Sequence, residues 1–314
     1  HACRRDSRVV LYRMAVLLLV APFSFNVGMR APVSIAPSSL RMVAAPAPEL
    51  VESALKTVSL SNAAGDSVTV YTFGACITSY VKGGTDVLAV RPDAKLDGSK
   101  PISGGIPFCW PQFGPGAIQQ HGFARNLDWT VVEQSDSKVV MELTESAYTM
   151  DMWPHAFKLQ YSVTLEDDRL ATDFCVTNTD SKPLSFTGAL HTYWSCDDID
   201  KVAIKAPAFA GATYLDKMQS PPADVKSASD TISIGAPVDS VYAGVSGDVV
   251  LEGAHASPLT IKNSVGWSDT VVWSPYGDEG MGYKNFVCVE SAQAATPVKL
   301  EPGEYWTGAM EVVP

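Results

Sequence analysis

Two polar residues stand at the ends of apolar runs, where burial makes them costly. His191 follows "FTGAL" and precedes "TYW"; Glu290 closes "NFVCV" and precedes "SA". In such a place an imidazole can be a core histidine satisfied by one backbone partner, and a carboxylate can simply emerge into solvent. The other reading is chemistry, because buried carboxylates are rare unless paired. If both face one pocket they form a proton-transfer pair. Unperturbed, the imidazole titrates at about 6.5 and the carboxyl at about 4.3, so near neutral pH one can give a proton while the other takes one.

A third stretch carries side chains suited to binding. "GGIPFCWPQFGPGAIQQHGFARNLDW", Gly104 to Trp129, combines glycines and prolines with the rings Phe108, Trp110 and Phe113, then Gln119, Gln120, His121 and Arg125. A linker does not need the rings, and a core strand does not tolerate such punctuation. The stretch therefore reads as a surface that holds something, with Gln and Arg supplying directional hydrogen bonds to hydroxyls and anionic oxygens. Asp216 in "GATYLDK" is compatible with an ordinary turn aspartate. His155 and His255 lie in polar, turn-like contexts and suggest no site.

Other chemistries lack their signatures. There is no nucleophile elbow, phosphate loop or dinucleotide fingerprint, and the spaced glycines of "GDEGMG" (Gly277 to Gly282) precede no helical pattern. The six cysteines form no CxxC pair, and no Cys/His cluster has zinc spacing, so no metal or cofactor is expected. Free, mostly buried thiols in a reducing compartment are expected instead.

The elements that must position these residues read as strands. "SVTVYTFG" alternates and stops at Gly74. "KVVMELTES" follows a turn, and "FKLQYSVTLEDDRLATDFCVTNTDSKPLSFTGALHTYW" reads as three strands joined by an acidic turn and an Asn/Asp/Pro loop. "DVVLEGAHASPLTIKNSV", "DTVVWSPYG", "KNFVCVESA" and "VKLEPGEYWTGAMEVV" continue the pattern. No long helical periodicity and no internal repeat is present. The expected class is all-β: one large antiparallel β-sandwich over residues 49–314.

Residues 1–48 differ in kind. From Met14 a short apolar run, too short to span a bilayer, leads into a Ser/Ala/Pro-rich stretch with Arg30 and Arg41 and no acid. This reads as the two-part address of a protein sent into a plastid enclosed by extra membranes. A plain secretory signal or a tail of a cytoplasmic protein is the alternative. From residue 49 onward the chain has 17 basic and 33 acidic residues, with only three arginines: Arg91, Arg125 and Arg169. So acidic a body is a poor partner for nucleic acid or anionic membranes. A monomer is expected.

Seven motifs then carry a resemblance: "GGIPFCWPQFGP", "QHGFARNLDW", "LHTYW", "TYLDK", "VVWSP", "NFVCVESA" and "LEPGEYWTG", in this order from Gly104 to Gly308. With them the chain resembles the hexose-6-phosphate mutarotases (glucose-6-phosphate 1-epimerases), a branch of the aldose 1-epimerase superfamily. The resemblance implies the galactose mutarotase-like supersandwich, with a sugar phosphate bound in a cleft on one face and no cofactor. It implies that His191 is the general acid and Glu290 the general base. It implies substrate binding by Gln120, Arg125 and Asp216, with His121 and Ser103 as further contacts. The segment Gly104 to Trp129 becomes one wall of the cleft, its rings facing the sugar. One position departs: the family's usual basic residue before "GGIP" is Ser103 here. Lys100, Lys82 and Arg91 are candidates to replace that charge. The departure leaves open an aldose 1-epimerase acting on free hexoses; a non-catalytic sugar-binding sandwich is the reading from another class.

Overall fold

The computed structural model describes residues 55–314. The expected targeting segment, residues 1–48, lies outside the described residues. Every strand pairing between named strands is antiparallel. A four-stranded sheet is built in chain order from Thr57–Ser61, Ser67–Tyr71, Ile77–Lys82 and Thr85–Asp86. A nine-stranded sheet has Tyr305–Val313, Leu170–Asn178 and Phe157–Leu165 at its middle. An eight-stranded sheet carries the chemistry, with Val238–Tyr242, Asp269–Ser274, Phe286–Leu300 and Leu184–Leu190 as consecutive neighbours. The only α-helix among the described residues is Ala147–Met152, closed by a Ser146/Thr149 capping box.

The strands fall where the alternation places them, since side chains on a strand point to opposite faces in turn. In Phe286–Leu300, Val287 and Val289 enter the main core, whereas Phe286 and Cys288 join a separate cluster with Tyr193 and Trp273. Glu290 shares the face of Cys288. One expectation needs amending here: the strand does not end at Glu290 but runs on to Leu300, with Glu290 paired in register with Val271. A register shift opposite Phe186 and Gly188 bends it past that point.

Two of the three rings expected to face a ligand belong to the core instead. Phe108 and Trp110 are fully buried; Phe108 packs on Trp129, Tyr161 and Phe174, and Trp110 on Phe123, Trp153 and Phe157. Burying such rings is worth more to the fold than exposing them to a polar sugar, at roughly 1.5–3 kcal/mol for a Phe-sized side chain. They anchor the wall together with Phe123 and Ala124, while Gln119, Gln120, His121 and Arg125 stay at least partly exposed.

Of the cysteines, Cys76, Cys109, Cys196 and Cys288 are free and buried.

Candidate active site

The anchored wall and the face of the eight-stranded sheet enclose a cavity of about 420 Å³ that holds both His191 and Glu290. That lies within the range of small-molecule sites, roughly 300–1,000 Å³. His191 follows directly on strand Leu184–Leu190, its backbone N–H donating to the Pro107 carbonyl at 3.0 Å. Its ring lies flat against Tyr193, 5.0 Å between centroids at 13°, and edge-on to Trp273 and His121. This packing fixes its plane. Nδ1 lies 3.4 Å from Oε1 of Glu290. That same Nδ1, and Oε2 of Glu290, are buried without a hydrogen-bond partner. Two orphaned polar atoms converging in one cavity are costly to the fold, and each has capacity left for a ligand.

Burial works against charge on both groups. It pushes the Glu290 carboxyl well above its ordinary range; the nearby Lys217 pulls the other way without cancelling it. It pushes the His191 imidazole well below its ordinary value, helped by His121, Arg125 and Lys217. Both shifts favour the uncharged forms, so burial favours a proton on Glu290 over one on His191. Passing it across to His191 yields a carboxylate and an imidazolium from the same total.

His121 closes one side of this pair. Its backbone is left-handed at φ 64°, unusual for a residue with a side chain. The following Gly122 shares the conformation at φ 69°, and a Cβ there would lie 2.1 Å from the Trp110 carbonyl oxygen. Nδ1 of His121 accepts from the Gly114 backbone N–H at 3.2 Å and faces Cys109 Sγ at 3.0 Å. A backbone N–H can only donate, so Nδ1 is bare and the proton sits on Nε2. Burial, with Arg125 and Lys217, lowers this imidazole to about 3. His121 is thus a fixed neutral donor.

Gln120 and Arg125 also line the cavity. Arg125 sits in the single turn Ala124–Asn126 and donates from Nη2 to the Gln120 carbonyl at 3.0 Å. Its Nε is buried without a partner, and no carboxylate among the described residues forms an ion pair with it. Ser103 lines the cavity as well.

Asp216, expected to bind substrate, is not among the residues that line the cavity. Its carboxylate accepts from the Met218 N–H at 2.9 Å and the Gln219 amide at 3.1 Å, bracing the turn after strand Thr213–Asp216. Lys217, one residue on, reaches the cavity instead. A shift of one residue along an extended segment changes the face a side chain occupies. Lys217 Nζ lies 3.2 Å from Oδ1 of Asp239 and 5.0 Å from the Phe113 ring centre. Asp239 pairs in register with Trp273, which brings both into the cavity wall. Sequence reasoning missed Lys217, Asp239, Tyr193 and Trp273. The signals were the motifs themselves: "LHTYW" holds Tyr193, "VVWSP" holds Trp273 and "YLDK" holds Lys217. Of the three cations proposed to replace the missing charge, Lys82 is held by Asp66 at 2.8 Å and Lys100 lies outside the lining; Arg91 is in it.

A buried His/Glu pair, in a β-sandwich cavity rimmed by aromatic rings and polar side chains, suits acid–base chemistry on a small polar substrate. The family description "Aldose 1-epimerase" matches residues 56–312, and the chain belongs to that family. It is 31% identical over 295 residues to a Cenchrus ciliaris protein named as a candidate glucose-6-phosphate 1-epimerase, covering 86% of this chain and 89% of that one. An Escherichia coli protein of the same name is 31% identical over 72% of this chain and 80% of its own. Among solved structures, a candidate mutarotase from Salmonella typhimurium aligns with a TM-score of 0.69 at 25% identity, over 79% of this chain and 86% of that one. A galactose mutarotase-related enzyme from Lactobacillus acidophilus shares the fold, with a TM-score of 0.70 at 15% identity over 82% and 97% of the two chains. The chain is accordingly a sugar isomerase of the mutarotase type, interconverting anomers.

Proposed function

We propose that the substrate is a hexose 6-phosphate, glucose 6-phosphate first among them, and that His191 and Glu290 perform the reaction. The observation that carries the acid–base assignment is the convergence of the orphaned His191 Nδ1 and Glu290 Oε2 in one cavity. The phosphorylated substrate is supported by the Arg125 guanidinium, whose Nε has no hydrogen-bond partner among the described residues, and by the names of the relatives.

Once the shared proton has passed to His191, the Glu290 carboxylate takes the proton from O1–H. The C1–O5 bond breaks, its electron pair goes to the ring oxygen, and His191 delivers a proton there. The resulting aldehyde turns about C1–C2 and recloses on its other face by the reverse transfers. The pair ends with the single proton it began with. Each positioned proton relay is worth about 10²–10⁴-fold. Lys217 favours the carboxylate form of Glu290, and the neutral His121 offers a donor to a sugar oxygen. The second reading, turnover of free hexoses, draws on the neutral Ser103.

A coupled assay of anomer interconversion, run side by side on glucose 6-phosphate, glucose and galactose, tests the assignment. A higher kcat/KM for the 6-phosphate is the expected result. Faster turnover of a free hexose at equal low concentration would overturn it.

A further inference from the structure

Beyond residue 48 the chain has three arginines among 33 acidic residues, and two of the three, Arg91 and Arg125, line the same cavity. The third, Arg169, lies elsewhere, paired with Glu166 at 2.6 Å and Glu311 at 3.7 Å. Concentrating rare guanidinium groups in one cavity of an acidic protein is how a site reverses an unfavourable long-range field. Arg125 is already part of the hexose-phosphate reading. Arg91 is not.

The backbone places Arg91 directly beside Ser103. Val90 and Gly104 form an antiparallel bridge, and the Arg91 N–H donates to the Ser103 carbonyl at 3.0 Å. The two strands approach so closely that a Cβ on Gly104 would lie 2.4 Å from the Val90 Cα. Asp93 grips one edge of the guanidinium, accepting from Nε at 2.9 Å and from Nη2 at 2.5 Å. Of the five N–H donors of an arginine, three stay uncommitted to that carboxylate. The exposures of the two side chains differ: 14% for Arg91 against 48% for Asp93. The carboxylate faces water, where its charge is screened, while the cation faces the cavity. Arg91 also makes electrostatic contact with the Tyr193 hydroxyl, whose ring stacks on His191. The guanidinium is thereby oriented before any ligand arrives, and a fork held in this way suits a tetrahedral oxyanion.

Resting on the reading of the substrate as a hexose phosphate, we propose that Arg91, with the Ser103 hydroxyl at its side, recognises the phosphoryl group and sets the preference for phosphorylated over free hexose. Arg91 supplies from a neighbouring backbone position the charge that position 103 lacks. The Asp93 clamp acts as its positioning residue.

The test compares wild type with the pair-neutral variant Arg91→Gln/Asp93→Asn and with Arg169→Gln, which removes one positive charge far from the cavity. For each, kcat/KM is measured for glucose 6-phosphate and for glucose, together with inhibition by inorganic phosphate. In the pair-neutral variant the ratio of the two kcat/KM values should fall at least tenfold, mainly through KM, and phosphate inhibition should weaken in step. Arg169→Gln should keep the ratio. Arg91→Lys keeps the charge and loses the fork; it should show a smaller fall and serves if the double variant does not fold. An unchanged ratio in a folded Arg91 variant, while wild type prefers the phosphate, overturns the proposal and leaves the substrate assignment standing. An equal loss for both sugars also overturns it, because Arg91 would then act only through Tyr193 and His191. A wild type that neither prefers 6-phosphates nor responds to phosphate removes the substrate reading and the role of Arg91 together.

Discussion

At the scale of the residue, the site is a pair of groups denied their ordinary charges. Glu290→Gln keeps the shape and removes the base, and His191→Ala removes the acid. Each should lower anomerisation by about 10²–10⁴-fold, with sugar binding, followed by titration calorimetry, largely retained. Activity requires one proton on the pair. The second proton must go onto a depressed imidazole, and the last must leave an elevated carboxyl. With free glucose as the assay substrate, which has no phosphate ionising near pH 6, the kcat/KM profile should therefore run flat through pH 6.5, where an ordinary histidine would bend it; a clear inflection there would contradict the shared-proton pair. Stability follows from the same shifts. The folded protein holds a proton on Glu290 that the unfolded chain releases above the ordinary value of 4.5. This contribution to stability is thus lost as pH rises from there toward the folded pKa. Glu290→Gln should melt higher than wild type, and the gap should widen with increasing pH above 4.5.

At the scale of the element, the decisive piece is the wall segment. Its core rings fix it to the sandwich, and its left-handed pair, His121 and Gly122, turns the polar tip inward. Gly122→Ala puts a methyl group against the Trp110 carbonyl and strains the backbone. It should cost upwards of about 1 kcal/mol by denaturant titration, and it should lower activity further by displacing His121. Most strands were legible because alternation and turn residues are local signals. The continuation of Phe286–Leu300 past Glu290 was not, because its partner Leu184–Leu190 lies about a hundred residues away in sequence.

At the scale of the molecule, family similarity spans residues 56–312. A chain beginning at Glu49 should accordingly be folded and as active as the full chain, by melting and anomerisation assays. Loss of folding would make the preceding segment structural. The proposed plastid address is tested separately: residues 1–48 fused to a fluorescent reporter should carry it to the plastid. The acidic body makes the cavity's own cations decisive for any anionic substrate, since the long-range field opposes its approach.

By itself the sequence determined the all-β class, because strand alternation and turn chemistry are written in short windows. It also marked His191, Glu290, Gln120, His121 and Arg125, because each is a polar group misplaced in an apolar or punctuated context. Tertiary structure alone decided which side chains share the cavity. Phe108 and Trp110 left it for the core, and Asp216 turned to brace its own loop. Lys217, Asp239, Trp273 and Arg91 entered it through pairings between distant segments. The face a strand residue presents depends on a register set by its partner, and one position of slip reverses it.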